Sequence, residues 1–397
     1  MQEYYFTELA NGIRAIHKEM NYTKIVHVGI MLDIGSRDED PEKQGIAHFW
    51  EHMAFKGTQK RRSFHIINRL ESLGGELNAY TTKEKICFYA SVLDIHIEKA
   101  IELLVDITFH SLFPEKQIEK ERQVILEEMS MYQDTPEDAI MDDFDELVFS
   151  AHPLGRNILG TEASVKNIKK EDFLKFVKTH LDFERIVFSC VGNISEKKIH
   201  RLIKKYFDHL IPRNSLRNRL FFSDYQPKQE EQRREISQVH YLMGLPAYNL
   251  HAPERIPFYL LTNILGGPGM NSRLNLNLRE KHGFVYGVEA QFSSYIDTGL
   301  FSIGFATDPV NFKRSKSLIN QELNKLKQIR MGARQLHVAK EQLKGQLAMS
   351  EENNNGLMLM MAKSLLDLNK IPSLDHIFKK IDEVSPEIIQ DIAQKTL

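Results

Sequence analysis

Cysteine is nearly missing from this chain: of 397 residues only Cys87 and Cys190 are cysteines, and no Cys-x-x-Cys occurs. A thiolate metal site and a redox pair are therefore poor readings. Both cysteines lie in apolar, strand-like runs, Ile86-Cys87-Phe88-Tyr89 and Val187-Phe188-Ser189-Cys190-Val191. They read as small buried hydrophobes in a reducing compartment. Long apolar runs are missing too. No window approaches the roughly 18 uninterrupted apolar residues of a membrane span. The start, Met1-Gln2-Glu3-Tyr4-Tyr5, lacks the basic-then-apolar pattern of a signal peptide. The expectation is a soluble, cytoplasmic chain. Charge of one sign is also scarce: the formal net charge is −2, which gives no ground for a nucleic acid or an anionic membrane as partner.

What is present is a soluble globular composition, 42% apolar and 27% charged. The length suits two domains of roughly 200 residues each. Residues 12–17 and 24–32 read as strands, 45–56 and 63–73 as helices, and 77–93 as two strands around a polar turn at 81–85. Helices are expected at 96–109, 114–134, 169–179 and 196–206, with a strand at 185–191. The stretch 212–232 is basic, then Gln/Glu-rich, and carries Pro212 and Pro227. It reads as an interdomain linker, giving domains over 1–212 and 233–397 with a linker at 213–232. Beyond it the pattern starts over. His240-Tyr241-Leu242-Met243-Gly244-Leu245 echoes His27-Val28-Gly29-Ile30-Met31-Leu32, and helices follow near 312–330 and 333–349. A repeat of about two hundred residues means duplicated domains rather than a solenoid. Adjacent strand pairs interleaved with helix pairs predict the α+β class, each domain a mostly antiparallel sheet flanked by helices.

The run His48-Phe49-Trp50-Glu51-His52 carries the chemistry. Positions i and i+4 of a helix share a face, so both imidazoles can reach one metal ion. Glu51, at i+3 from His48, is placed to hold a water rather than the metal. This order is itself a recognised inverted zinc-peptidase signature. A catalytic zinc site needs a third protein ligand, and Glu119-Lys120-Glu121-Arg122-Gln123-Val124-Ile125-Leu126-Glu127-Glu128 offers it. Glu121 and Glu128 are seven apart and share a helix face, whereas Glu127 points elsewhere. One carboxylate can bind metal and the other can orient a ligand by hydrogen bonding.

These motifs resemble the pitrilysin, insulin-degrading-enzyme and mitochondrial-processing-peptidase family, and the likeness extends over nearly the whole chain. Gly45-Ile46-Ala47-His48-Phe49-Trp50-Glu51-His52-Met53-Ala54-Phe55-Lys56-Gly57-Thr58 looks like the family's active-site helix. The resemblance implies one zinc on His48, His52 and Glu128, Glu51 as general base and Glu121 in support. Gly74-Gly75-Glu76-Leu77-Asn78-Ala79-Tyr80-Thr81 is similar to the family's substrate-side edge strand, so Asn78, Ala79 and Tyr80 are implied to meet a peptide added as a further strand. Arg279 and Tyr286 resemble the pair with which active members touch substrate and oxyanion. The second half carries Arg255-Ile256-Pro257-Phe258-Tyr259-Leu260 where the first has its metal helix, hence no second zinc site.

The implied function is a zinc endopeptidase acting on peptides or unfolded segments. By analogy, a second copy supplies the opposing half, so Arg279 and Tyr286 would act across a dimer, homomeric or with a related subunit. The alternative is a non-catalytic scaffold or partner subunit, as some relatives are; such relatives typically lose part of the motif, and this chain keeps it all.

Overall fold

A computed structural model describes residues 4–397. The chain opens with strands β1 (Tyr5–Glu8), β2 (Arg14–Glu19) and β3 (Ile25–Leu32), then helices α1 (Ile46–Ala54) and α2 (Ser63–Glu71). The hairpin of β4 (Glu76–Thr81) and β5 (Ile86–Leu93) leads to α3 (Ile97–Phe109), α4 (Glu115–Asp134) and α5 (Pro136–Val148). Next come α6 (Glu162–Asn167), α7 (Lys170–His180), β6 (Ile186–Gly192) and α8 (Glu196–Phe207). The later half holds β7 (Val239–Ala247), α9 (Arg255–Gly266), a π-helical segment (Asn275–Lys281), β8 (Val285–Ser294) and β9 (Gly299–Thr307). It closes with α10 (Phe312–Gln328), α11 (Ala333–Glu351), α12 (Asn354–Leu368), α13 (Leu374–Asp382) and α14 (Pro386–Thr396). The chain is α+β, as its strand pairs and helix pairs predict.

Six strands form one sheet in the order β1-β2-β6-β3-β5-β4. Only β2 and β6 run parallel; every other pair in it is antiparallel. All seven residues of β6 are buried, because a central strand covered on both faces can be apolar throughout. On one face lie α1 and α3, with Trp50, Phe49, Leu103 and Leu104 in the main core. On the other, α12 sets Leu357, Met358, Met361 and Leu365 against Ile16, Met31, Cys87, Val187 and Val191. The second sheet, β7-β9-β8, is antiparallel and packs against a core that includes Phe258, Leu261, Ile303 and Ile319.

The chain forms two compact units. One holds the chain up to Asp134, Ala151–Leu220 and Ser350–Ile371; the other holds Thr135–Ser150, Phe221–Met349 and Pro372–Leu397. The boundary expected from composition runs along the chain, whereas these units trade segments. Within the second unit α5 packs on β7, and within the first α12 packs on β3 and β6. Composition cannot signal this exchange, since each helix is drawn by an apolar surface distant in sequence. The start of the expected linker is tied down as well. Both oxygens of Asp38 accept from Arg219 at 2.7 Å, and Arg217 lies 2.7 Å from Asp33, all within the first unit.

Candidate metal centre and active site

The local sequence of α1 is two-sided. Ile46, Phe49, Trp50 and Met53 go into the core, which leaves His48, Glu51 and His52 to the opposite side. The helix starts at Gly45, whose φ is +87°, and a Cβ there would come within 2.3 Å of the Leu159 carbonyl oxygen. Only glycine fits such a turn, and glycine has no side chain to cap a helix. The buried Glu39 carboxylate supplies the cap instead, accepting from the backbone N–H groups of Gly45 and Ala47 at 2.9 Å each.

α4 packs alongside α1 and brings its acidic face to the histidines. His48 Nε2 lies 3.8 Å from Glu128 Oε1, and His52 Nε2 lies 3.6 Å from Glu128 Oε2. One ligand atom from each of the three residues can be chosen so that all lie within 4.8 Å of one another. Two imidazoles and one carboxylate converging in this way form a donor set that fits zinc and leaves a fourth position open. Glu121 stands behind: its Oε2 is 3.3 Å from His52 Nδ1, and its Oε1 is 2.7 Å from Lys56 Nζ. His52 donating Nδ1–H to Glu121 turns Nε2 toward Glu128, the arrangement by which carboxylates orient histidine ligands.

The electrostatics agree with this division of labour. Burial, helped by the nearby His52, pushes His48 down to about 3, so it stays neutral and able to ligate. Burial raises the Glu51 carboxyl, against the opposing pull of its hydrogen bond from Thr81. Burial also raises Glu128. Burial acts the same way on Glu121, but the bonds from His52 and Lys56 outweigh it and hold that carboxyl below its ordinary value.

Glu51 faces a groove of about 390 Å³ bordered by His52, Phe55, Ile67, Leu77 and Asn78. β4 is the edge of its sheet, so one side of its backbone has no strand partner among the described residues. Ala79 also borders the groove. Tyr80 does not: it packs with the α12 layer and meets Tyr89 at 6.2 Å between ring centroids. Of Asn78, Ala79 and Tyr80, the first two border the groove.

Arg279 and Tyr286 belong to the second unit, Arg279 in the π-helical segment and Tyr286 on β8. The guanidinium lies 5.5 Å from the Tyr286 ring centroid. Tyr286 is 90% exposed, because the register of β8 against β9 slips between Val285 and Val288 and the strand bulges there.

Two residues escaped the sequence reading. Thr81 Oγ1 donates to Glu51 Oε2 at 2.6 Å, although the sequence places Thr81 in a turn. The signal was available: Thr81 is two residues from Ala79 and so shares its face. Lys56 lies one helical turn beyond His52, and its bond to Glu121 was legible only as that spacing.

The sequence pattern described as Insulinase (Peptidase family M16) matches residues 14–162, and that described as Peptidase M16 inactive domain matches residues 167–343. The chain is similar to the uncharacterized zinc protease YmxG of Bacillus subtilis, 32% identical over 97% of this chain and 93% of that one. An uncharacterized zinc protease of Mycobacterium leprae is 31% identical over 98% and 88%. In fold it resembles a protease from Helicobacter pylori, with a TM-score of 0.89, 21% identity and coverage of 100% and 97%. A chain of Complex III2 from Candida albicans gives 0.85 and 19%, covering 98% and 92%. With the inverted motif and relatives named as zinc proteases matching along nearly its whole length, this chain belongs to the insulinase family of peptidases, family M16.

Proposed function

We propose that the chain is a zinc-dependent endopeptidase that cleaves peptides or unfolded segments, with Glu51 as general base. The observation that carries this reading is the convergence of His48, His52 and Glu128 on one point, with Glu51 beside it and the edge strand β4 bordering the same groove. His48, His52 and Glu128 would hold the metal, and Glu121 would orient His52. Zinc, when bound, supplies Lewis acidity toward water and toward the scissile carbonyl. The edge of β4 offers unpaired backbone groups to an extended peptide, which favours unfolded segments and tolerates varied side chains. Glu51 accepts a proton from the attacking water and returns it to the leaving amine.

Arg279 and Tyr286 are suited to donate to the oxyanion, and their exposure on the second unit suits action on a site of another copy. The working form is then a homodimer, or a heterodimer with a related subunit. The free, buried Cys87 and Cys190 suit a reducing, cytoplasmic setting. The complete donor set argues against a non-catalytic scaffold.

Glu51→Gln tests the reading. It is expected to keep zinc and lose cleavage of an unstructured peptide. Near-normal turnover would remove Glu51 as the base, and loss of zinc would make it a ligand.

A further inference from the structure

A glutamate at the end of three rotatable bonds is a poor base unless something fixes its carboxylate. The backbone of Glu51 is set by α1, but its side chain extends into a groove and would otherwise exchange rotamers at little cost. The structure holds that carboxylate at one oxygen: Thr81 Oγ1 donates to Oε2 at 2.6 Å. We infer that Thr81 is the positioning residue of Glu51, and that the β4–β5 turn is the rigid mount on which Thr81 works. The inference rests on the proposed general-base role of Glu51.

The mount is unusually well anchored. Thr81 is β-branched, so its χ1 is restricted, and it pairs in register with Ile86 across the hairpin. Directly beyond, Thr82 N–H donates to the Lys85 carbonyl at 2.7 Å, and the Thr82 hydroxyl accepts from Lys85 N–H at 2.9 Å. Each remaining turn residue is gripped from outside the hairpin. Lys83 Nζ donates to the Arg156 carbonyl at 2.7 Å. Glu84 accepts from Arg37 at 2.7 Å and lies 3.4 Å from Arg219. Lys85 pairs with Asp367 of α12, and both side chains are at most 10% exposed. The turn also presses on Gly35, where a Cβ would stand 2.5 Å from the backbone of Lys83 and Glu84. Ion pairs that lack solvent screening, with further hydrogen bonds around them, define one geometry rather than several.

The chemistry follows from that geometry. A hydroxyl has one proton to donate, so Thr81 occupies Oε2 and leaves Oε1 of Glu51 for the water. The donor sits at the end of the strand whose edge is proposed to receive the peptide. Base and substrate are thereby referenced to the same strand. The base keeps its distance from the scissile bond even if α1 and β4 shift slightly. Such control of alignment is worth up to about 10²-fold in rate for an error of about 1 Å.

The test uses the full chain, zinc-loaded, with Thr81→Val and Thr81→Ser variants and an internally quenched, unstructured peptide as probe. Thr81→Val is expected to lower kcat by about 10- to 100-fold with KM changed by less than about twofold. Zinc content, zinc affinity against a competing chelator and unfolding midpoint should match the wild type. Thr81→Ser should recover most of kcat, since it restores the donor without the methyl group. The inference is overturned if Thr81→Val keeps wild-type kcat. It is overturned equally if zinc affinity or unfolding midpoint falls with kcat, which makes Thr81 a structural residue, or if Thr81→Ser is as slow as Thr81→Val. A wild-type chain that cleaves no peptide, or a Glu51→Gln variant with normal turnover, overturns the base assignment itself.

Discussion

Glu121 meets His52 at Nδ1, 3.3 Å away, and so leaves the other ring nitrogen to face Glu128 at 3.6 Å. The same Glu121 carboxylate is held at its second oxygen by Lys56. One buried carboxylate thus fixes the ring orientation of a proposed metal ligand.

Removing that support should weaken metal binding without abolishing it. Glu121→Gln is expected to lower zinc affinity by about 10- to 100-fold, and Lys56→Met by less, because Lys56 acts only through Glu121. His52→Ala should abolish binding, the wild type holding about one zinc per chain. Titration against a competing chelator, with elemental analysis, reads all three. Equal affinity in wild type and Glu121→Gln would show that His52 is oriented by the helix alone.

Chelation supplies the matching activity test. Stripping the metal should abolish peptide cleavage, and stoichiometric zinc should restore it. Cleavage that persists in metal-free protein would exclude a zinc-dependent reaction.

The placement of Arg279 and Tyr286 yields a complementation experiment. Tyr286→Phe removes one oxyanion donor and should cost about 10²-fold in turnover while leaving zinc in place. Mixed with Glu51→Gln chains, after subunit exchange is verified with differently tagged copies, it should regain activity. In a trans dimer one of the two sites is then wild type. If exchange occurs and the mixture stays as inactive as its parents, the pair acts within its own chain.

The α12 layer predicts a stability difference. Met358 is fully buried, so Met358→Ala should cost about 2–5 kcal/mol through lost burial and a cavity. Gly29→Ala is expected to cost less. Its new methyl group would meet Met358 Sδ at 2.9 Å, and that sulfur belongs to a flexible side chain able to give way. Urea denaturation of both variants measures the contrast, and equal losses would mean that Met358 has no room to move.

Acid sensitivity should come partly from His17, which is 2% exposed. Burial pushes it down to about 4, outweighing the pull of the Ile194 backbone. The unfolded chain, with a His pKa near 6.5, binds that proton more readily. The stabilisation is therefore complete above about pH 6.5 and disappears as pH falls toward 4, at most about 3 kcal/mol in all. Burial lowers His27, His48 and His180 as well, so the readout is the difference between wild type and His17→Leu, measured as unfolding free energy against pH. That difference should shrink on acidification, and a constant difference would clear His17 of the effect.

What the sequence revealed follows the range of each interaction. His48, Glu51 and His52 were legible because helical spacing alone puts them together. Glu128 was narrowed by its seven-residue relation to Glu121 but needed the family likeness to be chosen, since 76 residues of chain say nothing of where α4 lands. Thr81 is harder to read from the sequence: its place beside Glu51 depends on the strand running through Thr81 rather than turning there, so that Thr81 lies on the face of Leu77 and Ala79. The exchange of α5 and α12 left no trace in composition, because what attracts each helix is an apolar surface assembled from distant strands.

That exchange has a consequence for how the protein is made. The chain passes between its two units five times, so neither unit is complete in one stretch of translation. The face of the first sheet formed by Met31, Cys87 and Val187 stays wet until the ribosome has released α12, more than 150 residues after β6 has emerged. Domains that fold as they leave the ribosome need their core residues early; here an apolar sheet face must wait. His48, His52 and Glu128, the proposed ligands, are all present by residue 128 but cannot be seated on a finished scaffold before α12 has been made. A nascent chain halted near residue 349 should still bind a hydrophobic holdase, and any peptidase activity should appear only once α12 has been made.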